Sequence, residues 1–470
     1  MTAPALSPRL VQALGGVVGA QAVLTDPGRL LVYESDGLTA YRHAPQAVVL
    51  PADTDEVRAV VTLLADAQVP IVPRGAGTGL SGGALASKGG VIVGTSRMNR
   101  ILALDPDNRT ARVQPGVINT ALSEAAAVHG LYYAPDPSSQ SACTLGGNVA
   151  ENSGGPHCLK YGVTSRYVSG LTLVLSDGSV VELGGLGRQD DPLDLVGAVT
   201  GSEGCFALTT EIEVRLLPRA PGVRTLLGIF DSMEAAATAV TAIIARGLLP
   251  AALEIIDANT IRAVEASVFA AGYPVDAGAA LVVEFDGLEA GLDLEAEQAA
   301  EECRRAGARE VRSARDAEAR AGLWKGRKKA FGAMGRIAPD LLVQDATVPR
   351  TRLPAVLAAI DRIASEYGLQ VANVFHAGDG NLHPNILFDR HDVDQVERVE
   401  RASAEIMRIC VDVGGTITGE HGVGVDKRKY MPLVHDRTAL TAMADLKRAF
   451  DPALLLNPGK VLPDDVWADA

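Results

Sequence analysis

The chain has 470 residues, 47% of them hydrophobic and 21% charged, which is enough to bury two or three cores and too apolar for intrinsic disorder. Its 57 acidic residues outnumber 43 basic ones for a formal charge of −14, and no long basic run offsets the excess, which excludes broad phosphate neutralisation of a nucleic acid. The cysteines at 143, 158, 205, 303 and 410 form no CxxC pair and no iron–sulfur run, so reduced structural thiols are expected.

In chain order, Ser7-Pro8 reads as an N-cap and first-turn proline. The soft apolar run 11–24 that follows is broken by Gly15-Gly16, so a short helix is favoured over a signal peptide despite the cleavage-like Ala20-Gln21-Ala22. No run of about 20 apolar residues exists to span a bilayer, and a cytoplasmic protein is expected. From Tyr41 to Leu217 short strands (47–50, 70–73, 90–95, 111–114) alternate with helices (54–67, 119–129) and glycine-rich loops. A hairpin of 171–175 and 180–183 turns on Asp177-Gly178. Pro218 to Gly222 marks a boundary. Beyond it, strands at 226–230, 253–256, 281–285 and 371–375 alternate with amphipathic helices at 234–245, 294–306, 353–367 and 393–410. The pattern predicts an α+β protein with an N-terminal helical segment (1–40), a first domain (41–220), a second domain (221–462) and a frayed tail (463–470).

Three glycine segments stand out in the first domain. Pro73-Arg74-Gly75-Ala76-Gly77-Thr78-Gly79-Leu80-Ser81 frees the backbone to turn its amides toward one point, a nest for phosphate oxygens, with Arg74 suited to an anion. Gly77, Gly79 and Gly82 satisfy G-x-G-x-x-G, but only residues 84–89 precede the next strand, too few for the crossover helix of a Rossmann unit. A pyrophosphate cradle of another kind is favoured over a purely structural turn. Pro135 to Ser139, Leu145 to Gly155 and Gly201-Ser202-Glu203-Gly204 follow, with paired glycines that allow backbone to approach a flat ligand.

In the second domain two of the eight histidines fall in Phe375-His376-Ala377-Gly378-Asp379-Gly380-Asn381-Leu382-His383-Pro384-Asn385. Strands 371–376 and 382–388 around a turn at 378–381 would set His376 opposite His383, with Cβ atoms about 4.5–5.5 Å apart. Asn385 would point the same way. Two imidazoles so placed can share a metal, and Glu420-His421 is the obvious source of a third ligand. Two histidines and a carboxylate leave open positions, as catalytic sites do. The competing reading is a hydrogen-bonded histidine pair without an ion. In Trp324-Lys325-Gly326-Arg327-Lys328-Lys329 the lysines read as a solvated face, while Arg327 has the planar fork that grips a carboxylate.

With Tyr33 to Gly37, Asp345 to Pro349, Glu420-His421-Gly422 and Asn457 to Lys460 added, the chain from about residue 30 to 462 resembles the vanillyl-alcohol-oxidase (PCMH-type) flavoproteins. Within that family it resembles the branch of glycolate-oxidase D subunits and D-2-hydroxyacid dehydrogenases. The resemblance implies a two-lobed FAD-binding domain, an α+β (ferredoxin-like) cap and a C-terminal segment returning to the flavin. It implies that Pro73, Arg74, Gly75, Ala76, Gly77, Thr78, Gly79, Leu80 and Ser81 wrap the pyrophosphate. Pro135, Ser138, Gly146, Gly147, Asn152, Gly154 and Glu203 would line the cofactor, and Asn457 would close it. No histidine lies between Leu50 and Leu104, so non-covalent FAD is expected, with Cys158 the lesser candidate for a covalent link.

The resemblance further implies a divalent metal, expected to be zinc, on His376, His383 and Glu420. His421 would be the base, Arg327 the carboxylate anchor and Asn385 the group that orients the substrate. The activity implied is FAD-dependent oxidation of a small 2-hydroxy acid of the glycolate or D-lactate class. Leu342-Val343-Gln344-Asp345 carries no cation where dicarboxylate-using relatives have a lysine, which leans toward a monocarboxylate. Implied partners are a second flavin-fold subunit and an iron–sulfur subunit, with at most peripheral association at the inner face of the membrane and no nucleic acid. The competing functions are a non-catalytic flavin-binding subunit and a metal-dependent hydrolase.

Overall fold

A computed structural model describes residues 6–185 and 193–467, which fall into two compact units. The first comprises Met1–Gly154, Val163–Arg219 and Glu420–Ala470; the second comprises Gly155–Gly162 and Ala220–Gly419. No helix among the described residues is long and apolar enough to cross a membrane.

The first unit opens as the sequence predicts, with helix Pro8–Val18 capped by the Ser7 side chain. Its first sheet joins β1 (Val23–Leu24), β2 (Ala47–Val49), β3 (Ile71–Arg74) and β4 (Val91–Gly94) in the order β1-β2-β4-β3. β2, β4 and β3 run parallel, and helix Thr54–Asp66 lies in the connection from β2 to β3. Val57, Val61 and Leu64 of that helix pack with Leu14, Ile71 and Val91. The second sheet is antiparallel, built from β5 (Ile101–Asp105), β6 (Thr110–Val113), β8 (Val168–Val174), β9 (Val180–Gly184) and β10 (Leu208–Arg215) in the order β5-β6-β10-β8-β9. β7 (Leu131–Tyr132) pairs with β11 (Leu217–Pro218).

The second unit is built on an antiparallel sheet of β12 (Gly222–Phe230), β13 (Ala252–Asp257), β14 (Ala279–Gly287), β15 (Glu310–Ser313), β17 (Ala346–Thr347), β18 (Gln370–His376) and β19 (Asn381–Leu382), ordered β15-β12-β14-β13-β18-β19-β17. β16 (Asp340–Val343) and β20 (Pro384–Phe388) extend it beside β18. One face, with Leu227, Ala252, Ile256, Val282, Ala372 and Val374, is covered by helices Ala258–Glu265 and Ala317–Met334. The oppositely directed Leu226, Leu253, Ile255, Leu281 and Val283 are buried as well. Burial on both faces is why these strands read as unbroken apolar runs. Helix Glu289–Arg305 is interrupted at Ala290 and Gly291 (φ 101°), so its regular part begins near the predicted start.

Three expectations are corrected. His376 pairs with Asn381, not His383: the turn spans 377–380, Gly380 takes the left-handed conformation (φ 75°), and pairing resumes one residue later. The predicted strand 382–388 is split at His383, because Pro384 has no N–H for the ladder. Residues 464–467 are not frayed; they form a 3-10 turn with Asp464 held by Arg428 at 2.6 Å. Residues 468–470 lie outside the described residues.

Candidate functional site

In the first unit, β3 delivers the chain into the glycine loop. Among the described residues, no backbone amide from Ala76 to Ser81 donates to a backbone carbonyl, and the buried Ser81 hydroxyl has no partner. Unsatisfied amides beside a hydroxyl make a donor set for phosphate oxygens, which fits the pyrophosphate of FAD. Gly37 packs so closely on this loop that a Cβ would come within 2.7 Å of the Thr78 carbonyl and 2.8 Å of that of Gly79. Arg74 has a different place from the expected anion contact. Its guanidinium donates to the carbonyls of Ser35 (2.8 Å), Ala84 (3.3 Å) and Tyr33 (3.4 Å), so the side chain braces the loop. Beside it, burial pushes the Asp36 carboxyl up to about 6, with the Leu38 amide and the Arg74 charge opposing.

The second glycine segment forms helix Leu145–Glu151, capped by Thr144, and a Cβ on Gly75 would overlap the Thr144 hydroxyl. Gly146 abuts Pro115, Gly147 donates to Thr144 Oγ1 (3.2 Å), and Gly154 is buried. Asn152 ends the helix in the left-handed conformation and accepts from Ser165 N (2.8 Å). Pro135 is fixed through its carbonyl by Asn119 (2.9 Å), and Ser138 is exposed. Glu203, also left-handed (φ 52°), accepts from the Val423 (2.6 Å) and Gly424 (2.7 Å) amides, so this expected cofactor residue anchors the segment that begins at Glu420. Gly422 abuts the carboxylates of Glu151 and Glu203. Burial, then the neighbouring Glu203 charge, pushes Glu151 well above the usual carboxylate range. Asn457 Nδ2 donates to the Gly83 (2.9 Å) and Glu203 (2.7 Å) carbonyls, tying the C-terminal segment to the loop's exit.

In the second unit the residues expected to act on the substrate share one sheet face. His376 and His383 are diagonal neighbours with ring centroids 5.1 Å apart at an interplanar angle of 87°. Asn385 is buried; its Nδ2 donates to the Ala372 (2.9 Å) and His383 (2.8 Å) carbonyls, and its Oδ1 has no partner among the described residues. Asp345 is fully buried, accepts from Thr418 Oγ1 (2.6 Å) and Gly419 N (3.1 Å), and lies 3.9 Å from His383 Nε2. A Cβ on Gly419 would come within 2.6 Å of Asn381. Glu420 and His421 come next in sequence and open the last segment of the first unit.

Helix Ala317–Met334 presents Arg320, Trp324 and Arg327 at i, i+4 and i+7, one face of a helix. Arg320 and Trp324 donate to Glu284, as do Thr225 (2.6 Å) and His157 (3.3 Å if Nε2 carries the proton). Burial pushes Glu284 up, but these donors outweigh it and hold the carboxyl well below its usual range. Arg327 is buried and donates from Nε to Glu254 at 2.6 Å. Glu254, fully buried on β13, pairs in register with His376 and takes its Nδ1 at 2.7 Å. The donor set of two imidazoles, one oriented by a carboxylate, fits a divalent transition metal. The exposed lysines match the solvated face expected of them. Cys158 Sγ accepts from Gly155 N (3.0 Å), and none of the five cysteines is in a disulfide.

Glu254 and Glu284 escaped the sequence reading. The available signal was a lone glutamate within each of the apolar runs Ala251 to Ile256 and Ala279 to Phe285, since a charge buried in a strand needs partners.

Residues 45–184 match the FAD-binding domain model and residues 220–461 match the model of the C-terminal domain of FAD-linked oxidases. The chain is 48% identical over 447 residues to the glycolate oxidase subunit GlcD of Escherichia coli (strain K12), covering 95% of this chain and 89% of that protein. It is 32% identical over 453 residues to D-lactate dehydrogenase of Anaerostipes hadrus, covering 93% and 95%. The fold is similar to 4-ethylphenol oxidase from Gulosibacter chungangensis, with a TM-score of 0.77 at 18% identity over 99% of this chain and 100% of that one. The chain belongs to the FAD-linked oxidases, as an FAD-dependent oxidoreductase of the branch that contains glycolate oxidase subunit GlcD.

Proposed function

We propose that the protein oxidises a small 2-hydroxy monocarboxylate of the glycolate or D-lactate class to the 2-oxo acid. The carrying observation is the bonded row Arg327–Glu254–His376, which fixes a carboxylate-gripping guanidinium at a set spacing from an oriented imidazole. The names of the relatives, glycolate oxidase subunit and D-lactate dehydrogenase, supply the substrate class.

FAD, when bound on the 73–81 loop, supplies the two-electron acceptor for the hydride leaving the substrate's Cα. A divalent ion, with zinc the expected one, on His376, His383 and Glu420 would supply Lewis acidity to the hydroxyl oxygen. Arg327, anchored through Nε, turns its terminal nitrogens to the substrate carboxylate. His421 takes the hydroxyl proton onto its imidazole, a group whose ordinary pKa near 6.5 suits a base at neutral pH. Asn385 Oδ1 is an acceptor for substrate orientation, and Gly419, held by Asp345, fixes the residue from which Glu420 follows. The word "subunit" in the relatives' name supports an assembly, and we place electron exit on a second flavin-fold subunit and an iron–sulfur partner. The chain itself has no iron–sulfur cysteine run.

The test is an anaerobic titration of the FAD-loaded protein with glycolate, D-lactate and D-2-hydroxyglutarate. Glycolate or D-lactate is expected to bleach the flavin band, and chelation to abolish the response. Bleaching by the diacid alone would overturn the substrate class; undiminished bleaching after complete metal removal would overturn the metal's role.

A further inference from the structure

Glu254 is the residue on which the acid-binding and metal-binding halves of the second unit's face converge. It lies on β13, where the neighbouring positions on that face are Ala252 and Ile256, in the core under helix Ala317–Met334. A carboxylate buried there needs hydrogen-bond partners. It has two, one per oxygen: Oε2 accepts from Arg327 Nε at 2.6 Å and Oε1 faces His376 Nδ1 at 2.7 Å. An imidazole nitrogen at that distance from a carboxylate carries the proton, so in the neutral ring Nε2 holds the lone pair. The Arg327 bond fixes the guanidinium plane through Nε and leaves the Nη1–Nη2 edge for a second carboxylate.

We propose that Glu254 is a positioning residue that sets two things at once, the His376 tautomer competent to ligate and the orientation of the Arg327 fork. The proposal rests on the functional reading above. One rigid carboxylate then fixes the spacing between the group that holds the substrate's carboxylate and the nitrogen that serves its hydroxyl.

Glu254→Gln separates this role from general packing. The amide has one acceptor oxygen and one NH2, and Arg327 can only donate, so the oxygen stays with Arg327 and the NH2 turns to His376. His376 Nδ1 must then accept, which moves the ring proton to Nε2. The variant is compared with wild type as FAD-loaded protein with matched flavin content. In metal-free samples, 15N shifts of labelled histidine, assigned with His376→Gln, are expected to show the Nδ1–H tautomer in wild type and the Nε2–H tautomer in Glu254→Gln. Zinc titration is expected to show affinity about 10–100-fold weaker in the variant. KM for glycolate should rise about tenfold, a loss of ground-state binding.

Glu254→Asp keeps the charge but loses one methylene of reach; it should keep the tautomer and still raise KM. An unchanged tautomer in Glu254→Gln, or zinc affinity and KM both within twofold of wild type, would overturn the proposal. If wild type takes up no zinc while the tautomer still switches in Glu254→Gln, the metal part of the functional reading fails and Glu254's control of the imidazole stands.

Discussion

Asp36 shows how the first unit holds charge in tension near its glycine loop. Burial holds its carboxyl near 6 against an ordinary 3.8, so the native state binds a proton that the unfolded chain releases. The stability this protonation contributes is complete below about pH 3.8 and is lost as pH rises through about 6. Asp36→Asn is therefore expected to leave the FAD-free protein's unfolding free energy almost unchanged near pH 4. At about pH 7.5 it should stabilise by up to about 3 kcal/mol, read from urea curves at both pH values. A gain of equal size at both pH values would contradict the buried charge. Asp36 was visible in sequence only as part of a motif. Its burial follows from Gly37 lying against Thr78 and Gly79, a contact across some forty residues that no local pattern reports.

At the scale of elements, the glycine loop was the most legible feature, because only glycine-rich backbone can leave a run of amides unpaired and accept close packing from residues 35–37. Gly37→Ala tests that packing. The added methyl would meet two loop carbonyls inside contact distance, at an overpacking cost of about 1–3 kcal/mol. The expected outcome is a several-fold drop in bound flavin per protein after gel filtration, with the far-ultraviolet circular dichroism unchanged. The histidine hairpin was legible in kind but not in register. Its alternation announced two strands, while the turn length hung on the left-handed Gly380, which the sequence left free to fall at either of two glycines. Helix Ala317–Met334 was legible as a helix with one arginine set apart from its lysines. The reason Arg327 is held rigid was not, since its partner Glu254 lies 73 residues away and His376 lies 122 from Glu254.

At the scale of the molecule, a charge of −14 must repel the anionic acid proposed as substrate. Screening shortens that repulsion from about 30 Å at about 0.01 M salt to about 8 Å at about 0.15 M. kcat/KM for the acid is expected to rise by roughly twofold over that interval, measured with a neutral soluble acceptor. A fall would mean that local attraction by Arg327, not the net charge, governs approach.

The first unit is discontinuous: the backbone passes between units after Gly154, Gly162, Arg219 and Gly419, and its last portion supplies Asn457 to Gly83 and a bridge from Leu456 to Ile71. On the ribosome, then, the glycine loop emerges early but waits for its C-terminal partner while most of the second unit is translated. A message cut short before Glu420 is therefore expected to yield a polypeptide that does not retain its colour.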